Sequence, residues 1–283
     1  MGIKLLNAFL RKRCKRDNKL KSFYQLKNKT IVVDINVYLY RFKSEGLLME
    51  NMFNLCGIFH YYNIKAVFVF DGKAPAIKQE EIERRKEKKK EAKEKFDSLD
   101  AKEHDTFYGK KLRRCFVMLA GNDYYQIKQL IVAFGMSFIT ANGEADKLCA
   151  EMVICGNAYA CLSEDTDLFV YGCPIVLRYL SITNHTIVLY DLNEILKTLN
   201  ITLEKFQKIC ILSGTDYSKR KENLYKCFDL YKNYPITLDA EQMQIYKMYQ
   251  VIPNKIMLPV ISNKSFSKET IETIMKPYNF IFT

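Results

Sequence analysis

Short apolar runs that end in an acidic residue recur along the chain. Residues 30–34 and 65–71 are both rich in β-branched and aromatic side chains, and each run ends in an aspartate. Runs of this length and composition are typical of buried strands, and a helical pattern lies between the two. Strands joined by a helix predict a parallel sheet, in which ligands gather beyond the carboxyl ends of the strands. We therefore expect Asp34 and Asp71 to meet at one edge of the sheet.

A third apolar run leads into an acidic turn at residues 164–167. Asp165 and Asp167 are two residues apart, a spacing that suits two ligands of one hard cation such as Mg²⁺ or Mn²⁺. The turn is not an EF-hand, because that loop would need glycine at Val170 and glutamate at Val176. Taken alone, the segment fits a solvated acidic turn equally well.

The pattern elsewhere predicts mostly helices. The highly charged residues 75–95 form a long helix, on which Lys78 and Arg85 lie seven residues apart and so share a face. Residues 96–115 show no clear period and are expected to be flexible or to be ordered by a partner. Other predicted elements are helices at 122–134, 219–232, 240–249 and 268–275, a helix opening at 142–146, a strand at 136–139, and a hairpin of 175–179 with 186–190.

The composition favours a folded basic protein with a polyanionic partner. The chain has 283 residues, a hydrophobic content of 48% and a formal net charge of +12, which points to nucleic acid or an acidic membrane surface. No apolar run is long enough to span a bilayer. The nine cysteines contain no C-x-x-C pair and there are three histidines, so neither a zinc site nor a disulfide framework is expected. A reducing intracellular compartment is the simpler interpretation. An excess of Lys over Arg, with much Asn, Ile and Tyr, indicates an A/T-rich genome such as that of a virus or parasite.

Seven acids stand at the ends of apolar segments or at a helix start, namely Asp34, Asp71, Glu144, Asp146, Asp165, Asp167 and Asp216. Two of them open a helix, where favourable interaction with the helix dipole is an alternative explanation. Seven carboxylates exceed what a general acid/base pair needs, but they suit two divalent ions about 4 Å apart, the arrangement used for in-line phosphoryl displacement. Lys78 and Arg85 are placed to offset charge that develops on a phosphate.

Six motifs in order resemble the structure-specific 5′ nucleases, the flap endonuclease and XPG-type superfamily. They are Met1-Gly2-Ile3-Lys4, Val33-Asp34, Val69-Phe70-Asp71-Gly72-Lys73-Ala74-Pro75, Gly143-Glu144-Ala145-Asp146, Ser163-Glu164-Asp165-Thr166-Asp167 and Leu212-Ser213-Gly214-Thr215-Asp216-Tyr217. The resemblance covers residues 1–217 and resumes faintly at 264–271. Each motif is weak by itself, and their shared order makes the resemblance specific.

The resemblance implies a fold and a set of roles. The fold is α/β, a central mostly parallel sheet flanked by helices (a PIN-like 5′ nuclease core), with a helical arch at about 86–115 and a helical C-terminal region. The seven acids become ligands of two Mg²⁺ ions, for which Mn²⁺ can substitute, and Lys78 and Arg85 become the phosphate-facing cations. Tyr40 stacks on a base near the scissile phosphate, although a core tyrosine is a fair alternative. Gly2, at the start of the first motif, is expected to contact DNA.

The chain departs from the family at two places. Asp146 stands where the family commonly has glutamate, so a metal contact there is expected through water. The family also grips duplex DNA with a glycine-rich hairpin after the last motif, whereas residues 218–223 contain no glycine. Lys219, Arg220 and Lys221 are expected to replace that grip. No sliding-clamp peptide is recognisable at the C-terminus.

The sequence as a whole predicts a two-metal, structure-specific DNA nuclease acting at 5′ ends, flaps, nicks or branches in replication, repair or recombination. Residues 1–217 would form the nuclease core, and residues 218–283 a reduced DNA-binding region packed on it. The expected location is intracellular, whether nuclear, cytoplasmic or a viral replication site, with no membrane partner, and the oligomeric state stays open. Two alternatives remain: a PIN-type ribonuclease, which shares acids at strand ends, and a catalytically silent DNA-binding scaffold.

Overall fold

A computed structural model describes residues 2–15, 17–218, 222–251 and 265–280. Within these ranges the strands are Asn18–Ser22 (β1), Thr30–Asp34 (β2), Lys65–Phe70 (β3), Ser137–Thr140 (β4), Ala160–Leu162 (β5), Ile175–Ser181 (β6) and Thr186–Asp191 (β7). The α-helices are Leu6–Arg13 (α1), Ile35–Ser44 (α2), Leu48–Tyr61 (α3), Gln79–Asp97 (α4), Phe107–Phe116 (α5), Gly121–Ala133 (α6), Ala145–Ile154 (α7), Asp167–Val170 (α8), Leu192–Leu199 (α9), Leu203–Ser213 (α10), Leu224–Tyr231 (α11), Ala240–Tyr249 (α12) and Lys268–Met275 (α13).

The strands form one mixed sheet in the order β1-β7-β6-β5-β2-β3-β4. The five strands from β6 to β4 run parallel, and β7 pairs antiparallel with both β6 and β1. The mostly parallel sheet and the β6–β7 hairpin are therefore confirmed. Strands β2 and β3 are neighbours, with Asp34 opposite Val69, so the acids that end these two strands lie at the same edge of the sheet.

Helices cover both faces of the sheet, because the strand residues alternate between two cores. Val32 joins α1, α7, α9, α10, α11 and α12 on one face. Ile31 and Val33, its neighbours in β2, join α2, α3, α6 and α13 on the other. Burial on both faces explains why these strands read as continuous apolar runs. None of the described helices is long and apolar enough to cross a membrane.

The segment 96–115 is more regular than its sequence pattern suggests. The helix α4 continues to Asp97, and α5 begins just after Thr106, whose side chain accepts a hydrogen bond from a first-turn amide. The ring of Phe96 stacks on that of His104, with centroids 4.2 Å apart, and lies 5.3 Å from Phe116. The expectation of an irregular excursion is wrong for α5, which begins at the Thr106 cap and packs against α4.

The C-terminal helices match their prediction except at one start. The bounds of α12 and α13 agree with the apolar pattern. The helix predicted from residue 219 begins only at Leu224, because Asn223 caps it by accepting hydrogen bonds from two first-turn amides. Residues 219–221 lie outside the described part of the chain, so the prediction that they contact DNA is carried by the sequence alone.

Candidate active site

The strand ends place two carboxylates at the sheet edge. Asp34 is buried at the end of β2, and its Oδ2 accepts a hydrogen bond of 2.7 Å from the hydroxyl of Ser163, which follows β5. Asp71 follows β3, and its Oδ1 accepts a bond of 2.8 Å from the amide of Ala145 at the start of α7. Its Oδ2 is held by the side-chain amide of Asn36. The sheet edge and two helix starts thus fix both acids.

The acidic turn folds on itself beside the N-terminus. The amide of Asp167 donates to Oδ1 of Asp165 at 3.0 Å, and both side chains are buried. Gly2 packs against this turn with a φ of +79°, and a Cβ at this position would lie 2.4 Å from Asp165 Oδ1 and 2.5 Å from Asp167 Oδ1. Only glycine fits there without moving the acids. The structure thus places Gly2 beside the carboxylates, and its contact with DNA stays a prediction.

The next pair of acids opens α7. Glu144 is contacted by the ammonium of Lys78 and by the hydroxyl of Tyr217. Asp146 is buried one residue into the helix, and its Oδ1 accepts a bond of 2.7 Å from the amide of Lys147. Helix-dipole compensation therefore does not account for Glu144, whose two partners come from distant parts of the chain.

Lys78 and Arg85 overhang the acids, as their spacing predicts, although the helix predicted from residue 75 begins only at Gln79 and Lys78 ends the short 3₁₀ helix Ala76–Lys78 before it. The Arg85 guanidinium lies 2.5 Å from Asp216 Oδ2, and the Lys78 ammonium lies 3.7 Å from the same oxygen. Arg85 is also held by Glu81, one helical turn earlier, at 2.9 Å. The two cations therefore sit between the acid at the start of α7 and the acid that follows α10.

Most of the predicted residues share one cavity of about 600 Å³, whose lining does not include Gly2, Asp167 or Asp216. Its lining includes Asp34, Asp71, Glu144, Asp146, Asp165, Lys78, Arg85 and Tyr40, together with Lys89 and Arg114 of α4 and α5. Tyr40 is 41% exposed, and the Lys89 ammonium lies 5.2 Å from the centre of its ring. This exposure contradicts the alternative of a core tyrosine. Base stacking by Tyr40 stays a prediction.

The site has two parts that differ in the partners of their acids. Its floor consists of the buried carboxylates Asp34, Asp146, Asp165 and Asp167. Its rim consists of Lys78 and Arg85 with their partners Glu144 and Asp216. Burial raises the pKa of Asp34 to about 7, and the neighbouring carboxylates add to the effect. Burial likewise raises the pKa of Asp146, Asp165 and Asp167 above the usual range of a carboxyl. The floor is thus a costly concentration of negative charge.

The donor atoms of the floor fit a hard divalent cation. All are carboxylate oxygens, the ligands that Mg²⁺ and Mn²⁺ prefer. Within the described residues, Asp167 Oδ1 is buried without a hydrogen-bond partner, although such atoms are normally satisfied. As they stand, no three acidic, His or Cys side chains in the described ranges form a group that could hold an ion. The site's acids are instead held by hydroxyls, amides and the rim cations, which a bound metal would replace in part.

Sequence reasoning missed several residues that hold these acids. Ser163 and Tyr217 stood inside the quoted motifs, so their place in the site had a signal. Asn36 lies two residues after Asp34 in the sequence, but nothing in that spacing indicates its bond to Asp71. Tyr249 donates to Asp167 Oδ2 at 2.9 Å across a separation of 82 residues, and no local pattern indicates such a contact.

Comparison with known proteins supplies the family. The XPG N-terminal domain matches residues 1–92 and the XPG I-region matches residues 135–216. A flap endonuclease 1 of Lodderomyces elongisporus is 32% identical over 301 residues, covering 98% of this chain and 76% of the relative. The chain belongs to the flap endonuclease and XPG family of DNA nucleases.

This chain matches only part of the length of other relatives. The flap endonuclease 1 of Entamoeba histolytica is 31% identical over 236 residues, which are 77% of this chain but 62% of the relative. The chain thus spans about three fifths of that protein.

Solved structures agree with the fold. The catalytic core of Rad2 in complex with DNA substrate superposes with a TM-score of 0.71 at 18% identity, covering 95% of this chain and 94% of that one. The Holliday junction-resolving enzyme GEN1, solved with product DNA and Mg²⁺, gives a TM-score of 0.57 at 16% identity, covering 95% and 68%. The predicted fold class is confirmed.

Proposed function

We propose that this protein is a Mg²⁺-dependent DNA nuclease that hydrolyses phosphodiesters at or near 5′ ends, flaps or branches. The observation that carries the proposal is the convergence of acids from separate segments beneath Lys78 and Arg85 in one cavity. Family membership supports the same chemistry. Roles in DNA replication, repair or recombination fit such an enzyme.

The acids would hold two Mg²⁺ ions, with Mn²⁺ able to substitute. The ligand set is Asp34, Asp71, Glu144, Asp146, Asp165, Asp167 and Asp216. Bound in pairs, such ions activate a water and stabilise the attacking and leaving oxygens of an in-line displacement. The high cost of the floor's charge favours loading, because a bound cation stabilises carboxylates whose pKa values are raised first by burial and then by their mutual repulsion.

The rim cations would bind the phosphate. Lys78 and Arg85 now contact Glu144 and Asp216, so their charged groups already lie at the cavity. A scissile phosphate can exchange with these carboxylates, which then become free for the metals. Fixed cations act most strongly on the charge that develops in the transition state. The proposed role of Lys78 and Arg85 is therefore catalytic.

The path of the DNA follows the basic surface around the cavity. Tyr40 and Lys89 border the cavity, and Arg114 of α5 closes it from the arch side. A second cavity of about 500 Å³ continues along α4 past Lys86, Lys90 and Lys93. We assign the arch, at about 86–115, to a single-stranded 5′ end. The excess of positive charge attracts the polyanion towards the acidic pocket.

The duplex would be held by the remaining DNA contacts. We assign these contacts to Gly2, Lys219, Arg220 and Lys221. In this division, residues 1–217 form the nuclease core and residues 218–283 a reduced DNA-binding region packed on it. The packing of α10 against α11 and α12 supports one continuous unit.

Gel-resolved cleavage tests the proposal directly. The substrates are 5′-flap, nicked, blunt-duplex and single-stranded DNA, with RNA versions alongside, each with Mg²⁺ and with EDTA. We expect metal-dependent cutting at the flap base or stepwise loss from 5′ ends. Cutting of RNA alone would support the ribonuclease, and DNA binding without any cutting would support the scaffold; either result would overturn the proposal.

A further inference from the structure

The last helix before residue 252 runs into the active site. Helix α12 begins with a capping box, in which the Gln242 amide donates to Asp239 Oδ1 at 2.8 Å and the Asp239 amide donates to Gln242 Oε1 at 3.1 Å. Ile245 and Tyr249 lie four residues apart and are both buried, so they define the inner face of the helix. The final residue of α12 therefore points into the core.

Tyr249 reaches a floor carboxylate. It is fully buried, and its hydroxyl donates to Asp167 Oδ2 at 2.9 Å. Its ring is fixed by two other tyrosines, with centroids 4.8 Å from Tyr171 and 5.8 Å from Tyr217. Because an ionised carboxylate can only accept hydrogen bonds, this donor determines which oxygen of Asp167 is engaged.

The two oxygens of Asp167 are thereby made unequal. Oδ2 is bound by the tyrosine, whereas Oδ1 is buried and has no hydrogen-bond partner in the described part of the chain. A donor on one oxygen of a ligating carboxylate fixes its orientation and leaves the other oxygen for the metal.

The end of α12 is also tied to the other end of α8, the short helix that Asp167 begins. The Gln250 side chain donates to Gln207 Oε1 at 3.3 Å, and Gln207 donates to the carbonyl of Val170 at 2.7 Å. Since α8 spans Asp167–Val170, α12 is linked to its first and its last residue. Such a double attachment resists rotation of the helix that carries the acid.

We propose that Tyr249 is a positioning residue for Asp167, whose hydroxyl holds Oδ2 and directs Oδ1 towards a divalent cation. This inference rests on the proposed function, because it assigns the hydroxyl a task only if Asp167 binds metal. Under this inference the C-terminal region has a second role besides DNA binding, which is to orient the metal ligand Asp167.

The substitution Tyr249→Phe removes the hydroxyl and keeps the ring between its neighbours. The matched control is Tyr246→Phe, one turn earlier on the same helix, where the ring makes contact with Lys208 and not with the acids. Mn²⁺ affinity is measured without DNA by electron paramagnetic resonance, and thermal unfolding is followed with EDTA and with Mn²⁺. A merely structural role would lower unfolding temperatures equally in both conditions.

We expect Tyr249→Phe to weaken Mn²⁺ binding about 10-fold or more, the usual effect of removing a residue that orients a metal ligand. The rise in unfolding temperature on adding Mn²⁺ should shrink, kcat should fall, and KM for DNA should stay unchanged. In an Asp167→Asn background, Tyr249→Phe should have no further effect on Mn²⁺ affinity, because the hydroxyl acts through Asp167. The Tyr246→Phe control should match the parent.

Wild-type Mn²⁺ affinity in Tyr249→Phe, with a parent that binds and cleaves, would overturn the inference and leave the proposed function intact. A parent that neither binds Mn²⁺ nor cleaves any DNA would overturn both. Should Tyr249→Phe fail to fold, 3-fluorotyrosine incorporated at position 249 keeps the ring and the hydroxyl and changes only the strength of the hydroxyl as a donor to Asp167. Unchanged Mn²⁺ affinity in that protein would then overturn the inference.

Discussion

The floor and the rim of the site stabilise closely spaced carboxylates in different ways. At the rim, Glu144 and Asp216 form ion pairs with the cations Lys78 and Arg85. On the floor, the buried carboxylates are held by neutral donors within the described residues, namely the Ser163 and Tyr249 hydroxyls and the amides of Lys147 and Asp167. A neutral donor orients a carboxylate but does not cancel its charge. The floor therefore stays a strong site for added cations, while the rim is already balanced.

This difference separates two functions that one cluster of acids could not combine. A floor neutralised by lysines would have no affinity for metal, and a rim without cations would repel the phosphate. Because the rim acids are paired with exchangeable cations and the floor acids are held by neutral donors, substrate and metal can each bind without breaking the other's contacts. Substitutions in the floor and substitutions in the rim should therefore have different effects on cleavage, DNA binding and stability.

The largest effect is expected on the floor. Asp167→Asn removes a metal ligand but keeps its shape, and it leaves the rim cations that attract DNA. Cleavage of the preferred substrate should fall by about 1,000-fold, with DNA affinity largely retained. Single-turnover cleavage and fluorescence anisotropy measure the two properties. An active Asp167→Asn protein would show that the floor is not the metal site.

The rim should be more important for kcat than for folding. Lys78→Met and Arg85→Ala each remove a cation aimed at the phosphate, so kcat should fall by about 100-fold. Arg84→Ala is the matched control: Arg84 binds Glu81 as Arg85 does, but of the two arginines Arg85 forms the ion pair with Asp216. Equal losses in Arg84→Ala and Arg85→Ala would show that the reach to Asp216 has no catalytic value.

The floor should also control the pH dependence of the metal-free protein. Burial raises the pKa of Asp34 from 3.8 to about 7, so the folded protein keeps this proton at a higher pH than the unfolded chain does. The free energy of unfolding in EDTA should therefore fall as pH rises from about 4 to 7. Asp34→Asn should raise it by roughly 2–4 kcal/mol at pH 8 and have little effect at pH 4.

Urea unfolding at the two pH values measures this difference. The exposed Asp105 provides a control, since Asp105→Asn should leave the free energy of unfolding unchanged at both. Adding Mn²⁺ should reduce the pH dependence of the parent, because a bound cation favours the ionised carboxylates. A parent whose free energy of unfolding rises from pH 4 to pH 7 in EDTA would contradict the raised pKa of Asp34.

The acids of the site were easier to predict than the residues that hold them. Asp34 and Asp71 could be placed together from sequence, because a parallel pair of buried strands leaves only one edge for their last residues. The hydroxyl of Tyr249 could not, because a contact across 82 residues depends on how α12 packs and leaves no periodic trace.

The edge of the sheet was missed for a different reason. The strand β1 reads Asn-Lys-Leu-Lys-Ser, with Leu20 71% exposed, so it lacks the apolar alternation of a half-buried strand. Pairing with β7 alone makes it a strand. Elements fixed by burial of their own side chains are visible in the sequence, and those fixed by a neighbour are not.

The smallest effect is expected just outside the rim. Lys89 borders the cavity beside Tyr40, where it would meet a DNA phosphate without contacting the floor. Lys89→Ala should weaken DNA binding modestly, reduce the dependence of log affinity on log salt by about 1, and leave kcat nearly unchanged. Lys197→Ala, in the exposed ion pair with Glu194 on α9, is the control and should change none of these. Anisotropy titrations between low and physiological salt give the slopes. A large loss of kcat in Lys89→Ala would show that Lys89 belongs to the catalytic rim and does not only bind DNA. An unchanged salt slope would show that the DNA does not pass beside Tyr40.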